Sequence, residues 1–324
     1  MGPVPRVRGG LAFALSASLL LPASALGSAV TFLDEFIITR SLTPTAGSAS
    51  LGTYEGAGIF YRDSFDDGLE PPSGGSFFGP NPGNYFTSGS YGATDESGNK
   101  LRLDSSMGTV GTNAAGQGRR NQQSILNSNI DPANSVQGLK QAFHTFSIYG
   151  RFDLALPPQP VDSYRIFLQD SGGGLFNTED LGVGVQRLED GSVVVRFVRQ
   201  DFVAGTLVVL DEDLLTFPAG ADQIELRLQR ASLSDDLVSA AYRFWDDGAP
   251  VTPFTVMDGA TEFFNTRPWG RAGFRAFEAL VPEPGTLALL LSGLGLLAFF
   301  GRRRQFACSK QRYRERAAAP DSVP

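Results

Sequence analysis

The chain is nearly without cysteine and histidine, with Cys308 and His144 as its sole examples in 324 residues. Residues 26 to 281 hold no cysteine, so no disulfide forms there and the segment depends on its own core, which a stretch of this size is long enough to bury. A single histidine excludes a histidine-based metal site, and no Gly-rich phosphate loop occurs. Charged residues make up only 19% of the chain. Of 27 basic residues two lie in the leader and seven in the tail from Arg302. Of 34 acidic residues three lie at Glu283 or in that tail, so the segment between is left near −13. Such a surface repels nucleic-acid phosphates and excludes a DNA or RNA partner. Long apolar runs are missing from the middle and occur only at the two ends.

At the N-terminus Arg6 and Arg8 precede the apolar run Leu11 to Leu21, then Pro22 and Ala23-Ser24-Ala25. A basic segment, a short apolar segment and an A-x-A site make a secretory signal peptide over residues 1–25, with cleavage after Ala25 or, alternatively, Ala29. It implies passage through the Sec translocon. The run is too short to span a bilayer comfortably.

At the other end Val281-Pro282-Glu283-Pro284-Gly285 leads into the uncharged stretch Thr286 to Phe300 and then Arg302-Arg303-Arg304. As a helix, residues 286–300 rise about 22 Å, short of the hydrocarbon core, and the flanking arginines snorkel to make up the deficit. The arginine cluster places the residues after it in the cytoplasm and the upstream domain outside. This order of parts, residues 281–304, resembles the PEP-CTERM sorting signal of polysaccharide-producing Gram-negative bacteria. The resemblance implies an exosortase as processing partner, with Pro282, Glu283 and Pro284 as its recognition residues. It also implies that the span is a temporary anchor. Residues 305–324 form a basic tail beyond the arginines, where members of that family usually stop.

Gly (38) and Pro (20) are plentiful, as in chains rich in turns and strands. Residues 26–62 read as an N-terminal extension, and residues 40–62, 68–92 and 108–135 read as loops from their Pro, Gly, Ser and Asn content. From Phe146 to Leu154 apolar and polar residues alternate with the period of a half-buried strand. The same period recurs at Ile224-Leu226-Leu228 and at Val238-Ala240-Tyr242-Phe244. Val183 to Phe197 reads as a hairpin whose Asp190-Gly191 supplies a primed turn. Many antiparallel strands with one apolar face each predict an all-β domain of two packed sheets over residues 63–280. The strands from Ser163 to Ala279 resemble the concanavalin A-like (laminin G-like) jelly-roll sandwiches, with an immunoglobulin-like sandwich as the alternative. That resemblance implies that Asp63 to Gly68 is the first strand, lying beside the last.

Concanavalin A-like folds include both sugar binders and glycoside hydrolases, so the residues of the site must separate the two. Retaining glycosidases need two carboxylates about 5 Å apart, as Glu-x-Asp-x-x-Glu on one strand provides. No such spacing occurs, and Glu225 stands alone on the polar side of its strand. His144 has neither a nucleophile motif nor a second histidine beside it and reads as a core or strand-end residue. An enzyme is therefore not expected, and no cofactor is. Asp66-Asp67-Gly68 and Asp246-Asp247-Gly248 offer loop carboxylates to calcium, but Asp-Asp-Gly is first of all turn chemistry. Trp245 has the parity opposite to Tyr242 and Phe244, and Trp269 follows Pro268. Each serves either as a sugar-stacking ring or as an aromatic covering the sandwich rim. Two expectations stand: a non-catalytic surface or matrix protein whose sandwich binds extracellular polysaccharide or serves structurally, or a glycoside hydrolase-like enzyme acting on exopolysaccharide.

Overall fold

The computed structural model describes residues 30–40, 51–66, 68, 76–77, 85–87, 95–96, 98–105, 109–113, 116–127, 139–140, 145–160, 162–170, 179–201, 206–232, 234–235, 237–262 and 269–279. All belong to the compact unit Gly27–Leu280. The leader, the sorting tag with its span 286–300, the basic tail, His144 and Asp67 lie outside the described residues.

Strands carry nearly everything described. In chain order they are β1 (Val30–Arg40), β2 (Thr53–Tyr54), β3 (Ala57–Asp63), β4 (Ser76–Phe77), β5 (Tyr85–Thr87), β6 (Asp95–Glu96) and β7 (Leu101–Asp104). Next come β8 (Thr109–Asn113), β9 (Gly116–Asn127), β10 (Leu139–Lys140), β11 (Phe146–Asp153), β12 (Ser163–Asp170), β13 (Glu179–Arg187) and β14 (Val193–Asp201). The last are β15 (Thr206–Leu214), β16 (Gln223–Arg230), β17 (Leu237–Asp246), β18 (Ala249–Pro250), β19 (Thr255–Glu262) and β20 (Trp269–Ala279).

They form two antiparallel sheets packed as a β-sandwich. The first runs β18–β17–β16–β11–β1–β3–β2, with β19 on β17, β4 on β3, and β7 joining β1 to β6. The second runs β15–β14–β13–β12–β20–β9–β5, with β10 on β20 and β8 on β9. Alternation turns one set of side chains from each sheet into a shared core. Phe36, Ile148, Phe152 and Leu226 come from the first sheet, and Ile166, Val183, Phe197 and Phe274 from the second. Each stabilises the fold by about 1.5–3 kcal/mol relative to exposure. Phe36 meets Phe274 edge to face across the layers, with ring centroids 5.1 Å apart. Inward-facing Gly150 is a glycine for a packing reason: a Cβ there would stand 2.5 Å from Cγ2 of Ile166.

Several expectations require correction. The supposed extension over residues 26–62 contributes β1, which pairs with β11, β3 and β7 in the middle of the first sheet. Its period is hidden by a register shift between Leu33 and Glu35, so that Leu33 and Phe36, of opposite parity, both face the core. Asp63 to Gly68 is not a strand beside the last one. β3 ends at Asp63, whose Oδ1 accepts from the Phe65 amide at 3.1 Å, and Phe65 takes a left-handed φ of 51°. Its ring then packs on Phe274 of β20 at 5.9 Å instead of pairing alongside. The loop expected over residues 108–135 contains β8 and β9, the latter paired with β20 from Ala272 to Ala279. Polar β9 has no apolar alternation to reveal it; buried Asn121 is held by donating to the Asp104 carbonyl at 3.1 Å. In the β13–β14 hairpin only Gly191 has positive φ (88°), while the Gly191 amide donates to the Leu188 carbonyl. The connection is therefore a type I turn closed by a left-handed glycine, and not the primed turn expected.

Candidate functional site

The side chains of the first sheet that point away from the core line up in rows across β1, β11, β16 and β17. Glu35, Arg151, Glu225 and Arg243 stand directly opposite one another in the first row, an alternation of negative and positive charge. Ile37, Tyr149, Arg227 and Ala241 form the second row, and Thr39, Ser147, Gln229 and Ser239 the third. Opposite charges placed this way stabilise neighbouring strands by about 0.2–1 kcal/mol per pair.

The charged row is closely knit. Arg62 reaches Glu35 at 2.6 Å, and Arg151 reaches both Asp34 (2.5 Å) and Glu35 (3.2 Å). Arg243 bonds Glu225 at 2.5 Å and Glu55 at 2.8 Å. The Trp245 indole N–H donates to the same Glu225 carboxylate at 3.0 Å, and the Tyr54 hydroxyl donates to its other oxygen. Burial pushes the Tyr54 phenol far above its usual range, and the Glu225 charge adds to the shift. Burial works against the Arg151 charge, but the hydrogen bond to Asp34 and the Glu35 and Asp34 carboxylates outweigh it and raise its pKa. For Arg243 burial is likewise outweighed by Glu225.

A small apolar cluster, Ile37, Ile59 and Tyr149 with Leu51, Tyr54 and Phe254, covers the second row. Tyr54 arrives on the β2–β3 hairpin, whose turn residues Glu55 and Gly56 have φ of 50° and 78° and form a primed turn. Its ring meets Tyr149 edge to face at 4.9 Å. Phe254 lies between two guanidinium groups, Arg227 and Arg243, each 4.2 Å from its centroid. Trp245 is flanked in the same way by Arg151 at 4.4 Å and Arg243 at 5.1 Å.

Beside this cover the third row is less enclosed at Gln229, which is half-buried, than at Thr39 and Ser147, which are buried. Thr39, Ser147 and Gln229 floor a groove of about 350 Å³, with Gly56, Ala57 and Gly58 of the hairpin along it. The floor offers hydroxyl and amide groups that donate and accept hydrogen bonds without titrating. Arg230, also at the groove, donates to the Asp235 carbonyl at 3.0 Å.

The sequence-predicted residues fare unevenly. Trp245 does face away from the core, but it is only 7% exposed, packed under arginines and tied to Glu225, so its ring is not open to a sugar. Trp269 opens β20 opposite Lys140; its side chain lies outside the described residues. Asp247 and Gly248, with φ of 46° and 78°, form the primed turn that pairs Asp246 with Ala249. Asp66 is exposed. Among the described residues no cluster of three or more His, Cys, Asp or Glu could hold a metal ion. Glu225 is not solitary: it is the hub of the charged row. The two carboxylates of that row, Glu35 and Glu225, are separated by two strand spacings, about 10 Å, with Arg151 between them. Sequence reasoning missed Tyr54, Glu35, Arg151 and Arg243. The alternation around Arg151 and Arg243 was the available signal for two of them.

Residues 280–304 match the family model described as the PEP-CTERM protein-sorting motif. The chain carries a PEP-CTERM sorting signal. Pro282, Glu283 and Pro284 fall within it, as do Arg302, Arg303 and Arg304, and it starts directly after Ala279, the last residue of β20. A PEP-CTERM signal marks an exported, exosortase-processed protein with a C-terminal membrane-anchoring sorting segment. Among the described residues no helix is long and apolar enough to cross a membrane. No curated protein matches the chain. A solved structure, "Structure of the CBM2 module of Lactobacillus casei BL23 phage J-1 evolved Dit", aligns with a TM-score of 0.30 at 14% identity, over 61% of this chain and 90% of that one. That likeness is too remote to bear on fold or function.

Proposed function

We propose that the mature protein is a non-catalytic cell-surface or matrix component whose jelly-roll-like sandwich binds extracellular polysaccharide along the groove of the first sheet. In this reading the signal peptide 1–25 directs the chain to the Sec translocon. Residues 286–300 then act as a transient membrane helix until an exosortase removes the tag.

The observation that carries the binding role is the groove itself, lined in one row of the sheet by the neutral polar side chains of Thr39, Ser147 and Gln229, of which Gln229 is the more exposed. Extended hydroxyl-rich ligands suit such a floor. The non-catalytic role is supported by the state of the nearby carboxylates. Glu35 and Glu225 are both engaged by arginines, and the arginine standing between them keeps them from the close spacing that retaining chemistry requires. Calcium has no part in this reading, since Asp246 and Asp247 are accounted for by their turn.

A second reading, a glycoside hydrolase-like enzyme, draws on the placement of Glu35 and Glu225 on one face. One pair of assays separates the two. Binding of the full-length chain to a polysaccharide array, lost on Gln229→Ala together with Ser147→Ala and without release of reducing sugar, supports the binding role. Release of reducing sugar that disappears in Glu225→Gln supports the enzyme.

A further inference from the structure

We propose that the groove selects an acidic polysaccharide, and that Arg227 is the group that recognises its carboxylates. The inference rests on the polysaccharide-binding reading above and specifies the chemical class of the ligand.

Five arginines serve this face or its groove, and four are occupied: Arg62 by Glu35, Arg151 by Asp34 and Glu35, Arg243 by Glu225 and Glu55, and Arg230 by the Asp235 carbonyl. Arg227 differs. Among the described residues it has no ion pair, and its Nε is buried without a hydrogen-bond partner. A buried donor left unmet costs about 1–3 kcal/mol, and the side chain as a whole is half-buried, so an acceptor meets the guanidinium at its outer edge and not at Nε. The guanidinium is nonetheless held in place. It lies on the Phe254 ring at 4.2 Å, which fixes its plane and limits the entropy lost when a ligand binds. Burial makes its charge costly and lowers its pKa, an effect that the nearby Glu55 and Glu225 carboxylates offset only in part.

Position completes the argument. Arg227 and Gln229 are two residues apart on β16 and point to the same side, so their Cα atoms stand about 6.8 Å apart along the strand, with Gln229 at the groove. A glycan resting on Thr39, Ser147 and Gln229 would bring a ring substituent within reach of it. A planar fork of N–H donors matches a carboxylate in two parallel hydrogen bonds, which a neutral sugar hydroxyl does not reproduce. The exported segment is strongly acidic overall, so general charge attraction cannot supply this binding. Recognition has to come from a local cation.

The test uses the full-length chain in detergent with three uronate polymers (polygalacturonate, alginate and hyaluronate) and with carboxyl-reduced polygalacturonate as the neutral partner. The expected result is a preference of about tenfold or more for at least one acidic polymer, equivalent to about 1.4 kcal/mol. Arg227→Gln should remove that preference while leaving binding of the neutral polymer unchanged, and Arg227→Lys should restore part of it. An unchanged denaturation midpoint in both variants shows that folding is not the cause. Equal binding of acidic and neutral polymers, or a preference that survives in Arg227→Gln, overturns the inference and leaves the polysaccharide-binding reading intact. Binding to none of the four polymers overturns both.

Discussion

Tyr54 and Glu225 lie 171 positions apart in the chain, yet the Tyr54 hydroxyl donates directly to the Glu225 carboxylate. The bond ties the β2–β3 hairpin down onto β16 and completes the set of donors around Glu225, which also takes Arg243 and Trp245. Tyr54→Phe keeps the ring contact with Tyr149 and removes only the hydroxyl. The expected loss is about 1.5–3 kcal/mol, the range for a hydrogen bond to a charged group, read as a lower urea midpoint with unchanged slope.

Gly150→Ala places a methyl group where Ile166 of the facing sheet already stands, 2.5 Å from its Cγ2. Overpacking should cost about 1–3 kcal/mol in chemical denaturation. In the double variant Gly150→Ala/Ile166→Ala the methyl has room. The two effects should then fail to add, with the double variant more stable than the sum of the singles implies.

Arg275 and Asp180 form an ion pair in the second sheet with both side chains essentially without solvent contact, 1% and 0% exposed. Arg275 also donates to Gln122 at 3.2 Å and lies over the Phe167 ring at 4.9 Å. Arg275→Met strands a carboxylate in the interior and should destabilise by about 3–5 kcal/mol. Arg275→Met/Asp180→Leu removes both charges and should recover much of that loss in the same urea titration.

Alkaline pH should open the sandwich. Burial raises the pKa values of Tyr54, Tyr149 and Tyr164, and Tyr242 is pushed up to about 12 by burial and by the Asp213 carboxylate. The folded protein therefore keeps phenolic protons that the unfolded chain releases near pH 10. Their contribution is complete below about pH 10 and declines as pH rises above it, because the unfolded state then binds fewer protons. Tyrosinate absorbance and circular dichroism followed together should change in one transition. Ionisation of these tyrosines well before any loss of sheet signal would contradict the account.

Replacing Pro282, Glu283 and Pro284 together with alanine alters the proposed recognition residues inside the PEP-CTERM signal and leaves the sandwich sequence untouched. The expected outcome in producing cells is an unprocessed chain in the membrane fraction, seen as a larger species on an immunoblot. The mature form should be missing from the surface and the medium.

The sequence by itself determined the sorting signal at residues 280–304, the absence of disulfides between residues 26 and 281 and the all-β character of the domain. Those are local properties. An apolar run beside arginines, or an alternation such as Ile224-Glu225-Leu226-Arg227, is complete within a few residues and tells which side chains turn outward. Only the tertiary structure decided which of them meet. β1 was hidden because its register shift puts Leu33 and Phe36 on the same side, and β9 because its polar residues are held by pairing with β20 and not by apolar period. Glu225, alone on its strand, became the centre of a charged row once β1, β11, β16 and β17 lay side by side and Tyr54 came down from the hairpin. The period of a strand is a property of its own backbone, whereas the order of strands in a sheet depends on contacts between segments far apart in the chain.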